Sequence, residues 1–377
     1  MTGVARSFVV NPAANQTHPG FGFGHSLRGL RIECNHCIEA SLSKCWLRTA
    51  TTVISHDGIR HASLYPLPAM SLPTSPASVP DDQDEAQPAC VLVFNANDPS
   101  GAGGLTADVL AIASVGAHAL PIITGAYARD TADIFDHFPF DEEQLAEQAR
   151  AILEDISVQV IKVGFAGTPE NLAVIAEIAS DYASIPLVAY MPDLSWWNEI
   201  QIDLYLDAFQ ELILPQTTVL TGNHSTLRRW LLPDWSGDKN PSARDIARAA
   251  NELGVPYTLV TGMPLPDQFI DNVLASPQTV LCSEKFERFE AVFSGSGDTL
   301  SAALAALLAS GTDLPEAVKE ALTYLDRCLD GGFRPGMGHI VPDRLFWAQP
   351  ETDDEQEAGE PAQTTHYFEM PPHDTKH

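Results

Sequence analysis

The chain has 377 residues, 45% of them hydrophobic, enough to bury one large α/β core, and this composition excludes a wholly disordered protein. A formal net charge of −29 argues against nucleic acid, whose phosphates call for basic surface, and favours a soluble protein that repels its neighbours. No apolar run reaches the roughly 18 residues that span a bilayer, and no charged-then-apolar signal segment opens the chain, so the expectation is a cytoplasmic protein without a membrane partner.

Residues 1–69 carry six Lys or Arg against three Asp or Glu, whereas the remainder carries fifteen against forty-seven. This basic segment lacks a sustained helical or strand period and reads as a poorly ordered extension. Its Cys34-Asn-His-Cys37 resembles half of a zinc site; Cys45, His36 and His56 could only improvise the rest, and unpaired thiols are the plainer reading. Met70 opens the Pro- and Asp-rich linker 70–88, and the expectation is that the natural start lies at or near it.

From Cys90 the pattern alternates. The run CVLVFNAN has the continuous apolar character of a strand buried on both faces. A Gly-rich turn and the helix signal LTADVLAIASVGA follow. Further strands are expected at ALPIITGAYA, VQVIKVGFA, IPLVAYM, TVLTGN and PYTLVTGM, with helices at DEEQLAEQARAILEDI, PENLAVIAEIASDYA, LYLDAFQELI and SARDIARAANELG. Such alternation predicts a three-layer α/β/α domain over 89–350 with a mostly parallel sheet, followed by an acidic disordered tail over 351–377.

Ligands of such sheets bind beyond the carboxyl ends of the strands. Two loops there carry chemistry. In Asn97-Asp98-Pro99-Ser100-Gly101-Ala102-Gly103-Gly104 the glycines admit a ligand or simply pack a helix on the sheet, and Asp98 or Ser100 can orient polar groups. In AVFSGSGDTLS, a helix opening at Gly295-Ser296-Gly297 offers unpaired N–H groups as an anion hole. Asp298 in that turn repels an anion. It fits either as a helix-start acid favoured by the dipole or as a base for a substrate hydroxyl while the N–H groups steady a phosphoryl group.

Taken in order, DPSGAGGLTAD, ASVGAHALPIITGAYARDT, IKVGFAG, LTGNHST, GSGDTLSAALAALL and GMGHIVPDRLFW resemble motifs of the hydroxymethylpyrimidine/phosphomethylpyrimidine kinases of thiamine biosynthesis, in the ribokinase-like superfamily. The likeness runs from about residue 89 to 348. It implies a ribokinase-like fold, ATP as co-substrate with Mg2+, a small pyrimidine as phosphoryl acceptor, and a homodimer. By the same likeness Asp298 stands where the typical pyrimidine kinases have a cysteine, and Asp98, Gly103, Asp108, Tyr127, Arg129 and Phe165 fall on the substrate side. Lys162, Asn223 and Thr261 fall on the nucleotide side, Asn223 also being the remaining candidate toward the metal.

Several positions depart from the family pattern. Arg129 replaces a pyrimidine-binding Gln, and Arg cannot accept a hydrogen bond from the ring amino group. Tyr127 and Phe165 replace smaller or more flexible residues, so an enlarged aromatic lining is expected. Thr226 replaces the metal-side Glu, Thr261 a phosphate-side Lys, and Ala189 a strand-end Asp, for which Asp193, four residues later, is the candidate substitute. These changes leave open a pyridoxal-type vitamin kinase and a non-catalytic pyrimidine-binding protein. Other readings stay paired: Lys162 reaches a phosphate or is a solvated strand-end lysine; Asp108 is a substrate-side acid or a surface helix acid; Trp196-Trp197 stacks on a base or packs a loop; His339 is a turn residue.

Overall fold

The computed structural model describes residues 87–348 apart from Asp238; the expectations for residues 1–86, including the zinc half-site and the start at Met70, and for the tail 351–377 lie outside the described residues. Nine strands form one sheet in the order β3-β2-β1-β4-β5-β6-β7-β8-β9. The six strands expected from the sequence, β1 (Cys90–Asn97), β2 (His118–Arg129), β4 (Val160–Val163), β5 (Leu187–Met191), β6 (Val219–Asn223) and β7 (Tyr257–Pro264), run parallel to one another. The three that were not expected, β3 (Ile134–Pro139), β8 (Phe269–Ala275) and β9 (Val280–Glu287), are antiparallel and extend the two sheet edges.

Burial explains the layers. Along β1, Leu92, Phe94 and Ala96 belong to one apolar cluster and Val91 and Val93 to another on the opposite face. The first face is covered by α2 (Glu142–Leu153), α3 (Pro169–Asp181), α4 (Glu199–Ala208), α5 (His224–Leu231) and α6 (Ala243–Glu252). The second is covered by α1 (Gly104–Ser114), α7 (Ser296–Ala309) and α8 (Leu314–Asp330). The three-layer expectation is thereby met. No helix among the described residues is long and apolar enough to cross a membrane.

Local signals place the helix starts. Asp141, Thr168 and Asn198 each accept a hydrogen bond from a first-turn N–H, and Ser242 with Asp245 closes a reciprocal capping box. Pro121 is tolerated inside β2 because β3 pairs only with Gly125–Arg129, so at Pro121 only β1 lies alongside. Helix α7 is rich in alanine and its Ser301 is buried, which lets it lie between α1, α8 and the middle of the sheet. Its amino end is thereby fixed at the carboxyl ends of β1, β4 and β5.

Candidate active site at the amino end of α7

Gly295 precedes α7 with φ 84°, and a Cβ there would run into the carbonyl oxygen of Ala102. The loop after β1 and the start of α7 are therefore in backbone contact, which only glycine permits. Gly295→Ala is expected to destabilise the fold by about 3 kcal/mol or more through overpacking and a left-handed alanine, read as a lowered denaturant midpoint. Gly297 lies directly against the Tyr190 hydroxyl, again with no room for a side chain.

Asp298 projects from the first turn of α7 with 16% of its side chain exposed. Its Oδ1 accepts from Asn95 Nδ2 at 2.9 Å and lies 3.5 Å from Lys162 Nζ; its Oδ2 accepts from the Gly104 backbone N–H at 3.0 Å. Asn95 also donates to Asp108 Oδ2 at 2.8 Å, and Lys162 Nζ reaches Asp108 Oδ1 at 2.6 Å. One lysine thus lies between two carboxylates that Asn95 bridges. Burial, more than the nearby Asp298, pushes the Asp108 carboxyl up to about 6 against the pull of Lys162. The Tyr190 ring lies 5.7 Å below the same ammonium, and burial drives its hydroxyl well above the usual phenol range.

Three sequence expectations change here. Lys162 is fully buried, so it is not a solvated lysine, and its ion pairs place it beside Asp298 rather than with Asn223 and Thr261. Asp108 is also fully buried, with both oxygens engaged by Lys162 and Asn95, so it is no surface acid. Phe165 is 1% exposed and stacked on Tyr127 at 5.6 Å, so it fills the interior instead of lining an enlarged opening. Trp196 and Trp197 stack on each other at 5.5 Å and meet Phe165 edge-on, the geometry of a loop packed on the core.

The loop after β1 is held by Asp98, whose Oδ1 accepts from the Ser100 N–H and hydroxyl and whose Oδ2 accepts from the Gly103 N–H at 2.7 Å. Arg129 pairs with Asp98 Oδ2 at 3.2 Å and points its other amino group at Ser294 Oγ, 3.5 Å away. His339 Nδ1 lies 3.1 Å from Ser294 Oγ, and its backbone N–H donates to the Thr131 carbonyl, consistent with a turn residue. Asn223 caps α5 through Ser225, and Thr261 hydroxyl donates to the Gly222 carbonyl. Thr226 is buried, and Asp193 is exposed at the surface, where Arg229 lies 3.4 Å away.

Sequence reading missed Asn95, Tyr190 and Arg344. Arg344 is buried and donates to Thr299 Oγ1 at 2.9 Å and to the Gly101 and Ala102 carbonyls, tying the β1 loop to α7. An asparagine inside an apolar strand was the available signal for the first.

A cavity of about 870 Å3 is bounded by Asn223 at the end of β6, His224 and Ser225 at the start of α5, Gly262 and Pro264 on β7, and Ala291 and Phe293 on the segment leading to α7. It is large enough for a nucleotide-sized ligand.

Residues 98–343 match the phosphomethylpyrimidine kinase family. The chain is 25% identical over 283 residues to the hydroxymethylpyrimidine/phosphomethylpyrimidine kinase of Streptomyces coelicolor, covering 75% of this chain and 100% of that protein. To the Mycobacterium tuberculosis protein of the same name it is 28% identical over 270 residues, covering 69% and 94%. Among solved structures, an ADP complex of Bacillus subtilis pyridoxal kinase superposes with a TM-score of 0.62 at 22% identity, covering 70% of this chain and 100% of that one. That likeness shows the fold, a ribokinase-like one.

Proposed function

The chain belongs to the phosphomethylpyrimidine kinase family, and on that premise we propose that it transfers the γ-phosphoryl group of ATP to the hydroxymethyl group of hydroxymethylpyrimidine, and then to the resulting monophosphate, in thiamine biosynthesis. The observation that carries the reading is the Asp298 carboxylate held by Asn95, Lys162 and Gly104 in the first turn of α7. In the first transfer the acceptor O–H bond breaks toward Asp298 as the new O–P bond forms and ADP departs. The first-turn N–H groups of α7, which lack intrahelical partners, would steady the equatorial oxygens of the phosphoryl group in flight. Asp98 and Arg129 form the wall of the acceptor side, with Gly103 and Tyr127 beside them; Asn223 lines the nucleotide cavity, and Thr261 precedes Gly262, which lines it too.

Mg2+ takes one or two protein carboxylates along with phosphate oxygens. Among the described residues the cavity lining supplies no Asp or Glu, and Thr226 stands where the family has its acid, so the cavity's own donor set does not fit a resident magnesium. The same reading takes the protein to be cytoplasmic and, by family likeness, a homodimer, which sedimentation of the full chain would read.

The test is ADP release by the full chain with hydroxymethylpyrimidine, its monophosphate and pyridoxal as acceptors. Turnover of the pyrimidines is the expected result. Turnover of pyridoxal alone would replace the substrate, and ligand binding without turnover of any acceptor would replace the kinase with a binding protein.

A further inference from the structure

The cavity has a charge pattern opposite to that of the chain. With 21 Lys and Arg against 50 Asp and Glu overall, its lining nevertheless holds Arg228, Arg229 and Arg288 and, among the described residues, no carboxylate. Arg229 shares the exposed Asp193, whereas Arg228 and Arg288 have no carboxylate within ion-pair distance among the described residues. Two unpaired guanidinium groups on one concave surface are a binding arrangement for phosphate oxygens, which they grip as planar forks.

We propose that Arg228 and Arg288, with Arg229 at the rim, hold the polyphosphate of the nucleoside triphosphate in this cavity, so that nucleotide binding does not require a divalent cation. This rests on the reading of the chain as a kinase and adds how its phosphate donor is held. The positive charge that a metal and a lysine would bring to the phosphates is supplied by three arginines fixed on α5 and just beyond β9. Phe293, two residues before Gly295, is part of the lining, so the cavity reaches the segment that leads into α7, and a nucleotide in it would have its terminal phosphate directed to the amino end of that helix.

Calorimetric titration of the full chain with ADP, in EDTA and again in millimolar Mg2+, tests this. The expected dissociation constants agree within about threefold, and Arg228→Ala/Arg288→Ala raises both by at least about tenfold, since each charge-assisted contact to phosphate contributes on that scale. Raising the salt concentration should weaken binding to the unaltered chain more than to the double variant. Arg228→Lys/Arg288→Lys, which keeps the charge, should bind closer to the unaltered chain and guards against misfolding as the cause. Binding seen only with Mg2+, or unchanged by the double alanine variant, overturns the proposal while leaving the kinase reading in place. Absence of ADP binding in both buffers together with absence of turnover would remove both.

Discussion

Asp298→Asn lowers kcat by about 10³-fold while ADP still binds the cavity, because a positioned base contributes on the order of 10²–10⁴ to the transfer of a hydroxyl proton. The carboxylate of Asp298 is surrounded by donors: Asn95 Nδ2 and Lys162 on one oxygen, the Gly104 N–H on the other. An asparagine has one acceptor oxygen and one amino group. If its oxygen faces Asn95 and Lys162, its NH2 faces the Gly104 N–H, donor against donor. A loss of stability of about 1–3 kcal/mol accompanies the loss of rate. The variant therefore has to be measured twice, by denaturant midpoint and by kcat at saturating acceptor. A kcat within tenfold of the unaltered enzyme would show that the proton leaves without Asp298, and the helix-start acid would then be the whole account of that residue.

How much of this was legible before the structure depends on burial. Strands β1, β2 and β4–β7 announce themselves as apolar runs because helices cover both of their faces. Strand β3, Ile134–Pro139, exposes Phe135 and Phe138 and ends in proline, and β9 alternates Cys282 with Ser283 and Glu284; neither has a continuous run to read. Helix α8 was legible in its buried stripe of Ala317, Val318, Ala321 and Leu322 and was overlooked.

The site divides in the same way. Asp298 and its glycines are local in sequence and could be read as one unit. The partners that define what Asp298 does, Asn95 and Lys162, come from β1 and β4, which are neighbours only after the sheet forms. Lys162 reads as a strand-end cation until Asp108, 54 residues earlier, is seen at 2.6 Å. Arg344 lies 242 residues from the Ala102 carbonyl that it contacts, and no local period links the two.

Lys162→Met should be the most destabilising single change at the site, because it leaves Asp108 as an uncompensated charge in the interior beside Asp298. Removing one partner of a buried ion pair costs about 3–5 kcal/mol. Burial already raises Asp108 from 3.8 to about 6 with the lysine present, and the lysine is what restrains it. A carboxyl that holds its proton more tightly folded than unfolded favours the folded state at low pH, and that contribution is lost as pH rises from about 4 through about 6. At about 1.4 kcal/mol per tenfold change in proton affinity, the fall attributable to Asp108 is about 3 kcal/mol. Other carboxylates act in the opposite direction over the same range, so the measured quantity is the difference in unfolding free energy between the unaltered chain and Asp108→Asn at each pH. That difference should shift in favour of the asparagine variant as pH climbs to 6 and level off above it. In the Lys162→Met background the shift should be larger and extend to higher pH, since the restraining cation is gone, and Lys162→Met/Asp108→Asn should recover much of the lost stability. A Lys162→Met protein of ordinary stability, with no pH-dependent gap to its Asp108→Asn partner, would mean that the two charges are not buried together and that Asp298 is held by Asn95 and Gly104 alone.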